Sequence, residues 1–340
     1  MVNKYLIILC FIWCFILTGC ITGKHTIDPQ IKDYICTDEY DVKHDWRNPF
    51  TVDSEGNFYI TYYINDPLMN IKKYNSQGKY ITGWVPEIKK RKKNCWFSER
   101  AYPSGVEQLS DIFADKENIY LAYSTAHGYN SDGGYSTDYT GHIEQFDLNG
   151  KFITAIKPEK DSFPRDFVRF ITKDKKGNFY LASLGHIEKY DSNWKLQSVL
   201  YPFKKKWYIR TDLSDRDYIF DLVVDSKENI YNLTQGHVDK FDHHGNFIKE
   251  WIPSRIKGKF SKVGLEIDSD DNMYMLGIDE KNYCILKFDS SGNLITEWNF
   301  EGKEIVPDII ISSATIKINS AGNVYVDTGK GTIKKFSPKQ

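Results

Sequence analysis

Short stretches rich in β-branched and aromatic residues alternate with polar turns along the chain from about residue 45 onward. One phrase recurs: an apolar strand, an acidic turn, and then Asn followed by an apolar residue and Tyr. Its six copies lie at positions 53–59, 115–120, 174–180, 225–231, 268–274 and 319–325. Asp, Asn, Ser and Gly in these turns permit positive φ, and no stretch keeps a helical period. The pattern therefore predicts an all-β repeat protein.

A second phrase follows each copy of the first, with an apolar residue, two intervening positions and an aromatic residue. Its copies lie at 71–74, 143–146, 187–190, 238–241, 285–288 and 333–336. In five of the six units a further polar turn and a fourth strand come next, as at 78–84, 245–251 and 292–298. Units of about 40 to 60 residues with four strands each are typical of β-propeller blades, which bury their faces only in a closed ring.

The sixth unit stops at 333–336 and lacks a fourth strand of its own. In our interpretation the stretch 34–40, ahead of the first unit, supplies it. This strand would join the first and last blades and leave no exposed sheet edge. The predicted fold of residues 31–340 is therefore an all-β, six-bladed β-propeller of four-stranded antiparallel blades, with an N-terminal strand that closes the last blade.

The repeated phrase Asp-x-x-Gly-Asn-apolar-Tyr, followed by apolar-x-Lys-aromatic-Asp-x-x-Gly-x-aromatic-Ile, resembles the NHL repeat of six-bladed propellers, including bacterial propeller lipoproteins. The resemblance implies the fold and leaves activity open, because such propellers include both binding modules and enzymes. Some NHL-type lyases bind zinc through histidines in the central channel. His142, His186 and His237 each follow a glycine at the start of a third strand. Since zinc ligands must converge at about 2 Å from one ion, we interpret these three as copies of one repeat position in separate blades.

The N-terminal residues predict a localisation signal rather than part of the folded domain. Lys4 precedes an apolar run over 5–17, which is too short to span a bilayer comfortably and is typical of a signal peptide, residues 1–19. The four residues from Leu17 to Cys20, which cross the end of this signal peptide, resemble the lipobox of bacterial lipoproteins. The resemblance implies cleavage before Cys20, acylation of its thiol and a lipidated tether over 20–30. The alternative is an ordinary signal peptide with a chance cysteine.

Two or three acyl chains anchor a protein stably in a membrane. The residue after the cysteine is Ile21, whereas some Gram-negative lipoproteins carry Asp there as an inner-membrane retention signal. We therefore expect a lipid-anchored protein of the cell envelope, in the outer membrane if the host is Gram-negative.

Composition and known motifs give no support to several classes of function. The net charge of −1 gives no overall field for a nucleic-acid partner. Outside the predicted leader and Cys20 the cysteines are Cys36, Cys95 and Cys284, which allow one disulfide but no close Cys pair for zinc. Phosphate loops, Gly-x-Ser-x-Gly elbows and His-Glu-x-x-His motifs are all missing from the sequence.

Nearly all variation in length falls in the loops between second and third strands and between blades, which share one face of a propeller. We call this the loop-rich face, and binding residues concentrate on such loops. Three elaborations stand out, at 85–108, 126–141 and 202–218, and aromatic and basic side chains there are suited to an anionic or sugar-like ligand. The candidate binding residues are Trp96, Arg100, Tyr129, Tyr135, Tyr139, Trp207 and Arg210. The alternative is a set of solvated loops whose aromatic residues pack on the blade below.

Charged residues also lie in or beside the first strands, which are expected to line the central channel. These channel candidates are Asp111, Arg169, Asp221, Glu266 and Lys317. Mixed charges of this kind bind a metal or polar ligand, or simply pair with one another. The turn residues Asp53, Asp174, Asp225 and Asp268 recur in most blades, and we interpret them as structural turn formers.

The leading functional hypothesis is a non-catalytic binding module, tethered by lipid, that presents its loop-rich face to a protein or glycan partner. It predicts no cofactor. The alternative is a metal-dependent lyase or hydrolase with its site at the mouth of the central channel, where Ca²⁺ or Zn²⁺ would bind. The sequence motifs leave enzymatic activity undecided.

Overall fold

The computed structural model of the protein describes residues 33–42, 49–64, 68–86, 106–131, 134–156, 168–183, 186–200, 219, 221–234, 237–251, 261–279, 282–301, 315–328 and 331–339. The predicted signal peptide, Cys20 and the tether lie outside these ranges. Within them, no helix has the length and hydropathy to span a bilayer. The described chain forms 24 strands in six antiparallel sheets of four strands each.

The six sheets are the blades, and five of them are each built from consecutive strands. Blades 1 to 3 contain β2 (Phe50–Val52), β3 (Phe58–Ile64), β4 (Leu68–Tyr74) and β5 (Tyr80–Trp84); β6 (Val106–Ala114), β7 (Asn118–Ser131), β8 (Gly134–Asp147) and β9 (Phe152–Ile156); β10 (Phe170–Lys173), β11 (Phe179–Ala182), β12 (Ile187–Tyr190) and β13 (Leu196–Leu200). Blades 4 and 5 contain β14 (Asp221–Val224), β15 (Ile230–Leu233), β16 (Val238–Phe241) and β17 (Phe247–Trp251); β18 (Ser261–Ile267), β19 (Met273–Asp279), β20 (Asn282–Phe288) and β21 (Leu294–Glu301). Blade 6 contains β22 (Ile316–Ile318), β23 (Val324–Asp327), β24 (Thr332–Pro338) and β1 (Tyr34–Asp41).

Blade 6 takes its outermost strand from the other end of the chain. β1 pairs antiparallel with β24, which gives the strand order β1-β24-β23-β22. The Tyr34 ring stacks on Trp298 of blade 5 with centroids 4.6 Å apart, and the Tyr34 hydroxyl lies 2.9 Å from that of Tyr274. The predicted six-bladed ring, closed by an N-terminal strand, is confirmed.

One aspartate organises the first turn of most blades. The Asp53 carboxylate accepts hydrogen bonds from the backbone N–H groups of Glu55 and Asn57, from the Asn57 amide and from the buried Tyr59 hydroxyl, at 2.9–3.0 Å. The same network recurs around Asp174, Asp225 and Asp268. These aspartates are structural, as predicted, because each one accepts hydrogen bonds from turn amides and from a buried tyrosine hydroxyl of its own blade.

Blade 6 departs from this rule. Asn319 occupies the aspartate position, and its Oδ1 accepts the N–H groups of Ala321 and Asn323. The hydroxyl of the fully buried Tyr325 finds no hydrogen-bond partner among the described residues. An amide nitrogen at the second position of this side chain cannot accept the tyrosine hydrogen bond that a carboxylate oxygen accepts in the other blades.

Apolar side chains fill the gaps between blades. Each of six clusters of buried residues joins two neighbouring blades, so the clusters follow one another around the ring. At the seam of blades 1 and 2, the Trp84 indole packs on Gly150, where an added Cβ would lie 2.3 Å from the ring. Gly150 has φ 85°, so both the turn and the packing require glycine there.

Two of the cysteines left over from the predicted leader and lipid site, Cys36 and Cys284, lie within the described residues. They are not bonded to each other, so this pair does not form the disulfide that the sequence allowed. Cys36 is exposed at its surface, but loss of solvation around its sulfur raises the pKa of the thiol, which disfavours the nucleophilic thiolate. Cys95 lies outside the described residues.

Candidate functional site

The first strand of each blade is the inner edge of its sheet, and the six inner strands contact one another around the central channel. An edge strand leaves backbone N–H groups without a partner in its own sheet. Side chains of the preceding blade accept several of them: Thr51 Oγ1 accepts from Ala114 N at 3.2 Å, for example. The inner edge is therefore a place where the fold itself calls for polar side chains.

Asp111 in blade 2 and Asp221 in blade 4 occupy the same position, four residues before the turn residue. Asp111 accepts the N–H of its neighbour Ile112 at 2.8 Å and that of Ile171 in the next blade at 3.0 Å. Asp221 likewise accepts the N–H of Leu222 at 2.8 Å and that of Leu265 in the next blade at 2.7 Å. Each carboxylate oxygen thus accepts one of these backbone hydrogen bonds and has a second lone pair for another donor.

Glu266 and Lys317 lie two residues before the turn in blades 5 and 6. The Lys317 Nζ lies 3.5 Å from Glu266 Oε2, and the two side chains keep exposed fractions of 15% and 20%. Alternate residues of a strand lie on the same face of the sheet. Glu266 and Lys317 are two positions closer to the turn than Asp111 and Asp221, so all four side chains lie on the equivalent face of their blades. Four charged side chains from four blades thus meet at the channel wall, and we call Asp111, Asp221, Glu266 and Lys317 the channel cluster.

The electrostatics of the channel cluster confirm that its members act on one another. Enclosure between the blades raises the pKa of Asp111 to about 7, and the nearby Asp221 charge adds to the rise, while Lys317 and the two backbone N–H groups oppose it. The pKa values of Asp221 and Glu266 are raised by the same loss of solvation. The three carboxylates in turn raise the pKa of the Lys317 ammonium, although its desolvation works in the opposite direction.

The two aspartates lie on the loop-rich side of the cluster, and Glu266 and Lys317 lie nearer the short first turns. Inner strands run from the connections between blades to the short first turns, and a residue four positions before the turn lies about 13 Å from it along the strand. Asp111 and Asp221 hold that position. Gly264 leaves room for this arrangement, since a Cβ there would lie 3.2 Å from Asp221 Oδ2. When the three carboxylates are ionised they face a single ammonium, and the channel then has a surplus of negative charge suited to a positively charged group.

The fifth channel candidate, Arg169, lies directly before β10. Its backbone N–H donates to the carbonyl of Ala182 at 2.8 Å, and its guanidinium carbon lies 5.8 Å from the centre of the Phe170 ring. The channel cluster is defined without it, because the shared electrostatics connect the other four residues.

Most of the candidate residues predicted on the loop-rich face lie outside what the structure describes. Trp96, Arg100, Trp207 and Arg210 belong to undescribed segments, and for the tyrosines at 129, 135 and 139 only the backbone is described. The reading of 126–141 as a loop was wrong. This segment continues β7 and β8 as one long hairpin, with His127 opposite Asp138 and Asn130 opposite Tyr135. Its Gly, Ser and Asp content suggests a loop, yet the strands pair in register to the tip.

The three histidines occupy equivalent places in separate blades, as predicted. His142 stacks on Tyr123 with ring centroids 4.8 Å apart. His186 Nε2 lies 3.4 Å from Glu188 of its own blade, and His237 Nε2 lies 3.3 Å from Asp239 of its own blade. They do not form a shared channel site.

Comparison with known proteins identifies the architecture alone. No protein-family model matches the chain, and no curated protein matches it in sequence. The WD40 domain of Neurospora crassa Pan2 is 10% identical, with a TM-score of 0.51 over 91% of this chain and 96% of that one. A luciferin-regenerating enzyme is 12% identical, with a TM-score of 0.47 over 88% and 92%. The WD40 propeller of Doa1 is 12% identical, with a TM-score of 0.45 over 90% and 98%. At these identities the likeness is one of fold and assigns no activity.

Proposed function

We propose that this chain is a lipid-anchored binding module of the cell envelope whose ligand approaches the loop-rich face and places a positively charged group in the central channel. The observation that supports this most directly is the channel cluster, in which three carboxylates and one lysine from four blades interact with one another. A protonated amine, on an amino sugar or a lysine side chain, matches this surplus of negative charge and the free lone pairs of the carboxylates.

The blades themselves need only part of this polarity. Asp111 and Asp221 join neighbouring blades through backbone N–H groups, but four of the six blades have other residues at that position and close their seams without a carboxylate there. Glu266 and Lys317 form an ion pair inside a low-dielectric enclosure, where the cost of desolvation offsets much of the attraction. The arrangement is better explained by a ligand than by stability alone.

Titration of the purified protein with amine probes tests the proposal. Glucosamine and Nα-acetyl-lysine amide are the probes, and their neutral acetylated forms, N-acetylglucosamine and Nα,Nε-diacetyl-lysine amide, are the matched controls. We expect an amine to bind and its acetylated form to bind at least tenfold more weakly. The ε-ammonium of the lysine probe stays charged up to pH 8, so the affinity for this probe should rise between pH 6 and pH 8 as Asp111 ionises near its pKa of about 7. Asp221→Asn should weaken binding at least tenfold. Equal binding of charged and acetylated probes, or no binding of either amine, would contradict the proposal.

The envelope location rests on Cys20 and has its own test. We expect the protein expressed in a bacterium to incorporate an alkyne-labelled fatty acid and to sediment with membranes. Cys20→Ala should lose the label and leave the membrane fraction. A labelled Cys20→Ala protein would refute acylation at this residue.

A second candidate function, an acid–base enzyme at the channel mouth, is favoured by one observation. A carboxyl group whose pKa is about 7 is well placed to exchange protons at neutral pH, and Asp111 has this property. Hydrolysis of a glycoside or ester by the wild type, abolished in Asp111→Asn, would establish this function. A turnover that survives the substitution would place any catalysis elsewhere.

A further inference from the structure

A second polar cluster lies on blade 4, away from the channel. His237 directly precedes β16, Asp239 lies within β16, and Glu250 lies opposite Asp239 on β17. One potential ligand atom from each of these three side chains lies within 4.8 Å of the others. The residues therefore form a compact group on one face of the outer half of the blade.

The distances in this group match the ligand shell of a small divalent ion. His237 Nε2 lies 3.3 Å from Asp239 Oδ2 and 3.9 Å from Glu250 Oε2. Ligands about 2.0–2.1 Å from a tetrahedral zinc ion lie about 3.4 Å from one another. One imidazole nitrogen and two carboxylates supply a net charge of −2, and the side chains of His237 and Glu250 keep exposed fractions of 22% and 37%, so an ion can reach them from solvent.

An independent observation points to a missing partner at the same place. Asn232 on β15 lies directly opposite Asp239, is fully buried, and has no hydrogen-bond partner for either its amide nitrogen or its carbonyl oxygen within the described structure. Asp239 Oδ1 is buried and unpartnered as well. A buried polar group left in this state destabilises the fold, because it gives up hydrogen bonds to water without replacing them. A bound ion with its coordinated water would give these atoms partners.

Blade 3 provides an internal comparison, because it has a histidine and a carboxylate at the same positions. There the Glu188 carboxylate accepts the Tyr190 hydroxyl at 2.6 Å, and His186 Nδ1 lies 2.8 Å from the Ser183 hydroxyl. The residues of blade 3 that correspond to Asn232 and Glu250 of blade 4 are Leu181 and Val199.

Blade 4 changes several of these positions at once. Phe241 replaces the tyrosine that would satisfy the acid, Asn232 replaces a leucine, and Glu250 replaces a valine. Compared with blade 3, blade 4 lacks the tyrosine partner of its carboxylate and has a third potential ligand, Glu250, beside it. The repeat does not need these changes, since blade 3 folds the same strands without them.

We propose that His237, Asp239 and Glu250 bind one divalent transition-metal ion of the zinc class, with Asn232 hydrogen-bonded to its coordinated water or to the outer oxygen of Asp239. Imidazole nitrogen together with carboxylate oxygen suits zinc and disfavours calcium, which prefers oxygen alone. Three protein ligands leave a coordination position open. This site is separate from the channel cluster, and either can exist without the other.

The test is a Zn²⁺ titration of the purified full-length protein after chelator treatment, with Co²⁺ as a spectroscopic probe of tetrahedral geometry. We expect one Zn²⁺ per chain. His237→Ala and Glu250→Gln should each weaken binding by more than the roughly 10- to 100-fold that loss of an outer hydrogen-bond partner costs. Asn232→Leu should fall within that range. Glu250 is the most exposed of the three ligands, so Glu250→Gln separates loss of metal from loss of fold.

His186→Ala is the matched control, because it alters the corresponding histidine of blade 3 and should leave Zn²⁺ binding unchanged. The proposal fails if the wild type binds no Zn²⁺, or if His237→Ala and Glu250→Gln bind it as the wild type does. It also fails if His186→Ala or the channel variant Asp221→Asn abolishes binding, because either result would place the ion elsewhere. Amine binding in the channel is measured separately, so failure of one proposal leaves the other open to its own test.

Discussion

Replacing Asp111 with Asn should change how the stability of the propeller depends on pH. The pKa of Asp111 is about 7 in the folded protein, mainly because the blades enclose it, against about 3.9 for an unfolded Asp. Between these two values the folded state holds a proton that the unfolded state has released. The resulting stabilisation is therefore complete at low pH and is lost as the pH rises through about 7.

The size of the effect follows from the two pKa values. Linkage gives a contribution of roughly 3 kcal/mol at pH 5 and almost none at pH 8, so this group alone should lower the free energy of unfolding by roughly 3 kcal/mol between them. The Asn side chain has no titratable group, so the variant lacks this contribution to the pH dependence. It also places an amide nitrogen toward one of the two N–H donors, Ile112 or Ile171, which costs roughly 1–3 kcal/mol at every pH and leaves the slope unaffected.

Urea unfolding of the wild type and Asp111→Asn at pH 5 and pH 8 measures this difference. All other groups titrate in both proteins, so subtracting the two pH dependences isolates Asp111. We expect the stability difference between variant and wild type to move in favour of the variant by roughly 3 kcal/mol from pH 5 to pH 8, or about half of that if water fills the channel. Parallel pH dependences, within experimental error, would refute a raised pKa for Asp111.

Three further predictions concern the turns, and urea unfolding measures each. Asp225→Ala should lower the free energy of unfolding by about 3 kcal/mol, because Asp225 accepts four hydrogen bonds, one of them from a buried tyrosine. Asp242→Ala removes a similar but exposed network and should lower it by less than about 1 kcal/mol. Similar losses would contradict this account. Gly150→Ala should destabilise the protein by several kcal/mol, because it strains the backbone and its Cβ clashes with the packed indole. Gly177→Ala should destabilise it by only about 1–2 kcal/mol, because its new Cβ meets nothing closer than 3.9 Å. Asn319→Asp should stabilise blade 6 by about 1 kcal/mol, because it gives the buried tyrosine hydroxyl an acceptor, and the gain should disappear when that tyrosine is phenylalanine.

The repeat pattern predicted the fold because the signals for a blade are local. The turn residues and the buried tyrosine six positions later specify where each hairpin begins, and the truncated last unit indicated which strand closes the ring. The extended hairpin of blade 2 was missed for the opposite reason. Its Gly, Ser and Asp residues are typical of loops, and the pairing of β7 with β8 outweighs those local preferences.

The sites were only partly predictable. Strand position was enough to nominate the members of the channel cluster, but their pKa values depend on enclosure and on contacts between blades, such as Asp111 with Ile171. The blade 4 cluster was missed because the histidines were compared between blades rather than across the strands of one blade. A signal was present: counting outward from the turn that begins at Asp242 places Glu250 opposite Asp239.

The internal repeats provide a physical way to separate scaffold from function. Residues that the fold requires recur in blade after blade, since every copy must satisfy the same turn amides and the same buried hydroxyl. Asp111, Asp221 and Asn232 do not recur in this way, because most other blades have an apolar residue or glycine at the corresponding position. Burial of a polar group without a partner costs free energy that the repeat shows to be avoidable. Where one blade has a buried polar or charged residue that the other blades lack, a bound ligand is therefore the best explanation of that residue. Asn319 is the opposite case, because it replaces a charged aspartate of the repeat and leaves a buried tyrosine hydroxyl without an acceptor. The predicted gain in stability from Asn319→Asp measures directly what that unsatisfied hydroxyl costs.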